Sequence, residues 1–307
     1  MKRAYSFLTI LILLCGLSIL FSCKQTKNGS ASQSKIQETK SFSAEITMKN
    51  EKVKKIDNLE RVFVSHATFS QIRTDVPTRI DIVRYNIPVG NGIYGVAVPF
   101  EIIKSVTFEE KEEINSYTEA TVTLGNNIIV KGSSWGVFKG KTDLGKTEIN
   151  MENIKEIVFK QPPGEKYSDP SFGDYQAKLY TIDNQVKELS GAALAKELVN
   201  ENGCYLDAYE QTDILTYQIE DEATYEISWE EIDAIVHDNP RIRISVGGYY
   251  EDPFRLITKD GKNLTVTCPP WLSVPQNVRG LMDFGNEYKL LATVTLYDRS
   301  FKKLEFR

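Results

Sequence analysis

Histidine and cysteine are scarce in this chain of 307 residues, which contains two histidines and four cysteines. His66 and His237 stand far apart, and no pair of histidines or cysteines has the spacing of zinc ligands. The hydrolase motifs G-x-S-x-G and H-E-x-x-H are missing as well, and no signature of paired catalytic carboxylates is found. The sequence therefore predicts no catalytic residue, no metal and no cofactor.

An excess of positive charge is also lacking, since the formal net charge is −5. A mildly acidic chain does not attract polyanions through its net charge, so nucleic acid is not an expected partner. Hydrophobic residues make up 41% of the chain and charged residues 26%, which is ordinary for a globular protein. Only the N-terminus carries a long apolar run.

That N-terminal run has the pattern of an export signal. Lys2 and Arg3 are followed by apolar residues from Phe7 to Phe21, and then by Ser22-Cys23. A basic start, an apolar segment and a small residue before the cleavage point are typical of a secretory signal peptide. The cysteine after Ser22 resembles the end of the lipobox in bacterial lipoprotein signals. The alternatives are ordinary secretion and an uncleaved helix, although a run of about 15 residues is short for a bilayer span.

The lipoprotein resemblance implies an anchor. Cleavage after Ser22 frees Cys23, whose sulfur carries a diacylglyceryl group and whose new amine is acylated. Several acyl chains hold a protein firmly on a membrane. Lys24, by analogy with sorting in enteric bacteria, favours the outer membrane or the cell surface. The polar residues that follow Cys23 predict a flexible tether.

Two segments of the mature chain resemble each other, which predicts a tandem duplication. The matches include the hairpins 122–130 and 256–266 and the strands 154–159 and 301–306, in the same order in both halves. Proline, glycine and charged residues between the halves indicate a linker. The predicted parts are a signal peptide (1–22), a tether (23–42), a first β-domain (43–160), a linker (161–173) and a second β-domain (174–307).

Alternating apolar residues and turn-forming Asn and Gly predict an all-β, mainly antiparallel fold of two small duplicated barrels or sandwiches. Pro99 and Ser228 each predict the start of a one-turn helix before a strand. A strand, a one-turn helix and a final strand resemble the closing elements of SH3-like small barrels, as in Gly95–Pro99 followed by Ile103. One longer helix is expected over Gly191–Asn200, with Ser190 as its N-cap.

Two short motifs match known patterns in the wrong context. Residues 90–95, GNGIYG, spell the dinucleotide-binding G-x-G-x-x-G, but a strand-like segment follows them where that fingerprint needs a helix. We therefore interpret them as a glycine-rich hairpin. Residues 283–285, DFG, lack the other kinase segments and match 143–145, DLG, in the first half. Their glycines predict turns.

Aromatic residues supply the candidate binding sites. Trp135 and Trp271 follow Ser-Ser and Pro-Pro in matching loops, and exposed tryptophans anchor sugars or protein partners. The alternative is that both cap the core of their own half. Tyr249 and Tyr250 lie in a loop that has no equivalent in the first half, and they form a second candidate contact surface.

The remaining cysteines, Cys204 and Cys268, are candidates for a disulfide because exported proteins meet an oxidising compartment; two separate buried thiols are the alternative. Together these features favour a lipid-anchored, non-catalytic binding or assembly module of the cell envelope, with protein or glycan as its partner. One alternative is a structural spacer of an envelope complex. A further alternative is an envelope enzyme, or its accessory, that acts on glycan or peptide.

Overall fold

Strands with a period of two form nearly all of the regular structure. The computed structural model describes residues 41–66, 79–109, 118–199, 205–219, 223–240, 253–267, 276–285, 287–296 and 301–307. In the strand Thr118–Leu124, every second residue is buried, as expected for a strand with one face on a core. Almost all pairings are antiparallel, so the predicted all-β, mainly antiparallel fold class is confirmed.

The first half consists of short strands with two 3₁₀ turns. Its elements are β1 (Ala44–Met48), β2 (Val53–His66), β3 (Arg79–Arg84), β4 (Asn86–Gly90), β5 (Gly95–Pro99), η1 (Phe100–Ile102), β6 (Ile103–Glu109), β7 (Thr118–Leu124), β8 (Ile129–Ser134), β9 (Val137–Thr142), β10 (Gly145–Asn150), η2 (Met151–Asn153) and β11 (Ile154–Phe159).

The second half has the same kinds of element. They are β12 (Tyr167–Ser168), β13 (Tyr175–Thr181), β14 (Val186–Val199), β15 (Tyr205–Thr212), β16 (Ile214–Ile219), β17 (Ala223–Ser228), η3 (Trp229–Glu231), β18 (Ile232–Val236), β19 (Phe254–Thr258), β20 (Asn263–Val266), β21 (Gln276–Asp283), β22 (Tyr288–Thr295) and β23 (Phe301–Phe306).

In the first half, the long strand β2 joins two groups of strands. It pairs with β1 before a register shift and with β3 after it, and it pairs with β9 on both sides of this shift, which lies between Asp57 and Glu60. From β1 the sheet continues through β11, β6, β7 and β8, while β9 pairs with β10. Strand β4 pairs with β5, and its Gly90 lies opposite Ser133 of β8.

The second half repeats this order of pairing. Strand β14 pairs with β13, β15 and β21, and β13 leads on through β23, β18, β19 and β20. Strand β21 pairs with β22, β16 pairs with β17, and Gln218 of β16 bridges to Thr267. We call two strands equivalent when they hold the same place in this order, so β13 is equivalent to β1, β17 to β5 and β22 to β10. Among the described strands, no closed barrel is observed.

The predicted one-turn helices are present as 3₁₀ turns. Each of them directly precedes a strand that begins with an apolar residue, at Ile103, Ile154 and Ile232. The Ser228 side chain accepts a hydrogen bond from the backbone N–H of Glu230 at 3.4 Å and so caps η3. In each case this apolar residue is the first residue of the strand and lies just outside the turn.

The helix predicted over Gly191–Asn200 is wrong, because residues 186–199 form strand β14. Gly191 has φ +54°, which interrupts the register between β14 and β21. The four consecutive side chains from Ala192 to Ala195 are buried. Other strands pair with both edges of β14. Because neighbouring side chains of a strand point to opposite faces, both faces of β14 are covered. Tertiary pairing therefore overrides the helix propensity of the Ala- and Leu-rich segment.

The two halves meet edge to edge. Strand β5 pairs with β22, with Val96 opposite Ala292 and Gly95 opposite Thr293. Strand β12 runs parallel to β22, and the Tyr288 hydroxyl donates to the Gly164 carbonyl oxygen. Buried side chains of both halves belong to one connected hydrophobic core, and Ser41–Arg307 form one compact unit.

Aromatic rings lie at equivalent places in this core. Phe100 of η1 contacts Phe42 and Phe159, with ring centroids 5.4 Å and 5.0 Å away. In the second half Trp229 of η3 contacts Tyr175 and Phe306, at 5.8 Å and 4.0 Å. Within the described residues, no helix has the length and apolar character needed to cross a bilayer.

Candidate functional site

Most residues singled out in the sequence fall outside the described part of the chain. Those residues are Cys23, Cys204, Tyr249, Tyr250, Cys268 and Trp271. Their roles, including the disulfide between Cys204 and Cys268, stay predictions. Only Trp135 of the predicted binding residues has a described position.

Trp135 lies between β8 and β9, and its side chain is half-buried, between the two alternatives of an exposed anchor and a core residue. Its backbone is held by Arg61, whose Nη1 donates a hydrogen bond to the Trp135 carbonyl oxygen at 3.5 Å. The following Gly136 has φ +130°, a conformation that favours glycine. The loop thus presents part of an indole ring from a well-held backbone.

Arg61 is the polar residue that sequence reasoning missed. It lies on β2 and is fully buried. Its Nε donates to the Asn86 carbonyl oxygen at 2.9 Å, and its Nη2 donates to Asn86 Oδ1 at 3.2 Å. The guanidinium therefore ties β2, the start of β4 and the Trp135 loop together. The segment RVFVS could have indicated this arginine, because Arg61 begins a largely apolar run that is predicted to form a strand.

The GNGIYG segment is a hairpin turn, as predicted. It joins β4 to β5, and Gly92 has φ +79°. Asn91 Oδ1 accepts hydrogen bonds from the backbone N–H groups of Ile93 and Tyr94, at 3.0 Å each. These bonds fix the turn and direct Tyr94 toward the second half.

The DFG segment is likewise a turn, between β21 and β22. Gly285 has φ +91°, and its N–H donates to Asp283 Oδ1 at 2.6 Å. The equivalent Gly145 has φ +113° in the turn between β9 and β10. The two turns differ at their tips, because Phe284 is partly buried against the core whereas Leu144 is 94% exposed.

A cleft of about 240 Å³ lies where these turns of the two halves meet. Its apolar floor comes from β4, β5 and β8 of the first half and from the β21–β22 turn of the second half. The floor residues are Val89, Val96, Ile128, Val130, Met282 and Phe284. Because both halves contribute, the cleft exists only when β5 and β22 are paired.

Polar groups line the rest of the cleft. Lys131 comes from β8, Lys187 from β14 and Asp283 from the end of β21. Burial raises the pKa of the Tyr94 hydroxyl, the hydrogen bond with Asn91 lowers it, and the nearby Asp183 carboxylate raises it further, so the net pKa lies above the ordinary value. Tyr94 therefore stays a neutral hydrogen-bonding group at physiological pH. The lining contains two lysines and the Asp283 carboxylate, and the Asp183 carboxylate lies near Tyr94 and Lys187.

This arrangement suits binding. Ligand sites for drug-sized molecules enclose about 300–1,000 Å³, so a cleft of 240 Å³ fits one large side chain or a chain end. His237 does not contribute to the cleft. It is buried, with its ring centroid 5.6 Å from that of Phe254 and 4.6 Å from that of Phe301.

In the described ranges, no group of three or more His, Cys, Asp or Glu residues is arranged to hold a metal ion. Comparisons with protein-family models, with curated proteins and with solved structures give no match. The cleft could not be recognised in the sequence, because its walls come from both halves and meet only through the β5–β22 pairing.

Proposed function

We propose that this chain is a lipid-anchored protein of the cell envelope that acts as a non-catalytic binding or assembly module. The anchor is Cys23, supported by the basic start, the apolar run and the small residue before it. The acyl chains hold the protein at the outer membrane or the cell surface. The tether, predicted over residues 23–42, joins the anchor to the folded unit, which begins at Ser41 and already includes the buried Phe42.

The anchor is tested by the substitution Cys23→Ala. Without the thiol no diacylglyceryl group can be attached, so we expect the precursor to keep residues 1–22 and the radiolabelled palmitate signal to disappear. Ser22→Thr, which leaves the thiol in place, serves as the control. Palmitate labelling that persists in Cys23→Ala would show that Cys23 is not the lipidated residue.

We further propose that the two β-domains, 43–160 and 174–307, arose by tandem duplication. The support is that strand pairings recur in the same order and that local features recur within them. The left-handed residue that interrupts β2 is Asn58, with φ +52°, and its equivalent in β14 is Gly191, with φ +54°. The first residue of the 3₁₀ turn after β5 and β17 is a buried aromatic residue, Phe100 in one half and Trp229 in the other.

The binding role rests on the cleft between the halves. An apolar floor excludes water from a bound side chain, and burying apolar area is the main favourable term in association. Lys131 and Lys187 add positive charge beside that floor. The cleft therefore suits an apolar side chain with a carboxylate close by, such as a C-terminal residue or an acidic turn of a protein.

Protein suits this lining better than glycan. Sugar rings stack on the exposed face of an aromatic ring, and the floor consists mainly of aliphatic side chains. Trp135, in the loop directly after β8, is half-buried. It follows Lys131 by four residues, about 13 Å at the usual rise per residue of a strand, which is close enough to contact the rest of a protein partner.

Site-specific photo-cross-linking in intact cells tests the binding role. Ile129 lines the cleft and is 56% exposed, so a photoreactive amino acid there faces a bound partner. Val53 is 58% exposed at the start of β2 and is the matched control. We expect a discrete adduct from position 129 and none from position 53.

A second part of this experiment tests whether the charged residues of the cleft contribute to binding. Combining Lys131→Glu with Lys187→Glu replaces both cationic groups of the lining with carboxylates, and we expect the adduct at position 129 to fall about tenfold, since close charge pairs contribute a few kcal/mol at interfaces. Equal adducts from positions 129 and 53, or an adduct indifferent to the charge reversal, would contradict a partner seated in the cleft.

A further inference from the structure

The contact between the halves uses two different strand edges. The outer edge of β5 in the first half pairs with the outer edge of β22 in the second half. Such a contact is heterologous, because each half contributes a different surface. Each half also contains the strand equivalent to the one that the other half uses in this contact. In the first half this strand is β10, the equivalent of β22, and in the second half it is β17, the equivalent of β5.

In the described part of the chain, these two equivalent strands have open outer edges. Among the described strands, β10 pairs only with β9, and β17 pairs only with β16. Tyr225 of β17 is 45% exposed, and Leu144, at the turn before β10, is 94% exposed. An open edge carries backbone groups that can accept another strand.

We call the β5–β22 contact the inner contact. Its register predicts which residues would lie opposite each other if β10 of one molecule paired with β17 of another. Val96 lies three residues before the cap of η1, and its equivalent before the cap of η3 is Tyr225. Val294 pairs with Val278 as Ile149 pairs with Phe138, so Ala292 is equivalent to Thr147. The pair of Val96 and Ala292 therefore becomes Tyr225 opposite Thr147.

The charges on the two edges agree with this register. With antiparallel pairing, the residues next to Thr147 and Tyr225 come to lie opposite each other, which places Lys146 against Glu226. Both side chains belong to exposed residues. Opposite charges directly across an antiparallel pair are favourable, whereas like charges are unfavourable.

We propose that the chain binds a second copy of itself head to tail, with β10 of one copy added to β17 of the next in the register of Thr147 opposite Tyr225. The contact reproduces the β5–β22 interface between molecules. Leu144 then takes the place that Phe284 holds in the inner contact and becomes covered. Because the contact is heterologous, each copy keeps one open edge of each kind, and addition continues into a row or closes into a ring.

This self-association goes beyond the binding role of the cleft and does not depend on it. The cleft lies at the inner β5–β22 contact. Strands β17 and β10, which are equivalent to β5 and β22, lie outside that contact. Binding of a partner in the cleft and self-association into a row are therefore separate properties, and a substitution can abolish either one without the other.

Disulfide cross-linking of the full chain in isolated membranes tests the register. Residues directly opposite in an antiparallel pair have Cα atoms about 4.5–5.5 Å apart, within reach of a disulfide. In a chain with both Thr147→Cys and Tyr225→Cys, we expect a ladder of covalent dimers and larger species after mild oxidation. A mixture of the two single variants should stop at dimers, and the parent chain shows the background from its own cysteines.

Val53→Cys combined with Tyr225→Cys is the matched control, since Val53 is exposed to a similar extent but lies on another strand. A ladder no stronger than in this control would overturn the proposal. Dimers of Thr147→Cys in which residue 147 of one copy is bonded to residue 147 of the other would also overturn it, since they require β10 to meet β10.

Charge reversal separates specific pairing from chance collision. Lys146→Glu or Glu226→Lys alone should weaken the ladder about tenfold, and the two together should restore it, since the pair is then of opposite sign again. Lys131→Glu with Lys187→Glu, the cleft variants, should leave the ladder unchanged. If the double reversal is as weak as the single ones, the proposed register is wrong.

Discussion

Replacing Trp229 with alanine should lower the free energy of unfolding by about 3–5 kcal/mol, which corresponds to a melting temperature about 10 °C lower. The indole ring is 2% exposed and lies 4.0 Å from the Phe306 ring and 5.8 Å from the Tyr175 ring. Alanine would leave a cavity beneath η3, where β13, β18 and β23 meet. The surrounding strands can move little to fill this cavity, because backbone pairing holds all three of them in place.

Thermal unfolding of the full-length chain in detergent micelles, followed by circular dichroism, measures this effect. Trp229→Phe is the matched control, since the equivalent residue of the first half is Phe100. The Trp229 indole N–H has no hydrogen-bond partner among the described residues, so phenylalanine should cost only about 1–2 kcal/mol. If alanine and phenylalanine cost the same, Trp229 does not fill the core as described.

Replacing Arg61 with alanine should cost about 3 kcal/mol and loosen the Trp135 loop. The guanidinium is buried and donates to both oxygens of Asn86 and to the Trp135 carbonyl oxygen. Without it those acceptors lose their charged donor, and a cavity opens beside Gly136. The effect should therefore appear both in stability and in the surroundings of the indole.

Arg255→Ala is the matched control for this substitution. Arg255 also makes paired hydrogen bonds, to Asp238 at 2.6–3.0 Å, but it lies at the surface, where such an ion pair contributes about 0–1 kcal/mol. With Trp229 and Trp271 replaced by phenylalanine, Trp135 alone fluoresces. Arg61→Ala should then increase quenching by iodide. Unchanged quenching together with a small loss of stability would argue against the positioning role of Arg61.

Local sequence patterns predicted the strands and turns well. In β7 and β22 apolar residues alternate with polar ones, and both are strands with one buried face. The segments 90–95 and 283–285 turn at glycines with positive φ, as their context indicated. These features depend on a few neighbouring residues, whose conformational preferences act before any distant contact forms.

The segment GAALAKELVN shows where local patterns fail. Its Ala, Leu, Lys and Glu residues favour a helix, yet it forms part of β14, between β15 and β21. Small side chains allow close approach on both faces there, and Gly191 supplies the left-handed conformation of the bulge. Pairing with two distant strands supplies more free energy than the helix propensity of ten residues.

The sequence by itself predicted an export signal with Cys23 as the lipidation site, the repeated order of motifs and the all-β character, the last of which the structure confirms. All of these follow from short-range patterns of polarity and turn residues. Only the tertiary structure decided the edge-to-edge contact of β5 with β22, the cleft that this contact creates, the burial of Arg61 and the open edges of β10 and β17. The physical reason is that strand edges are satisfied by partners far away in the chain, and no local pattern specifies which edge finds which partner.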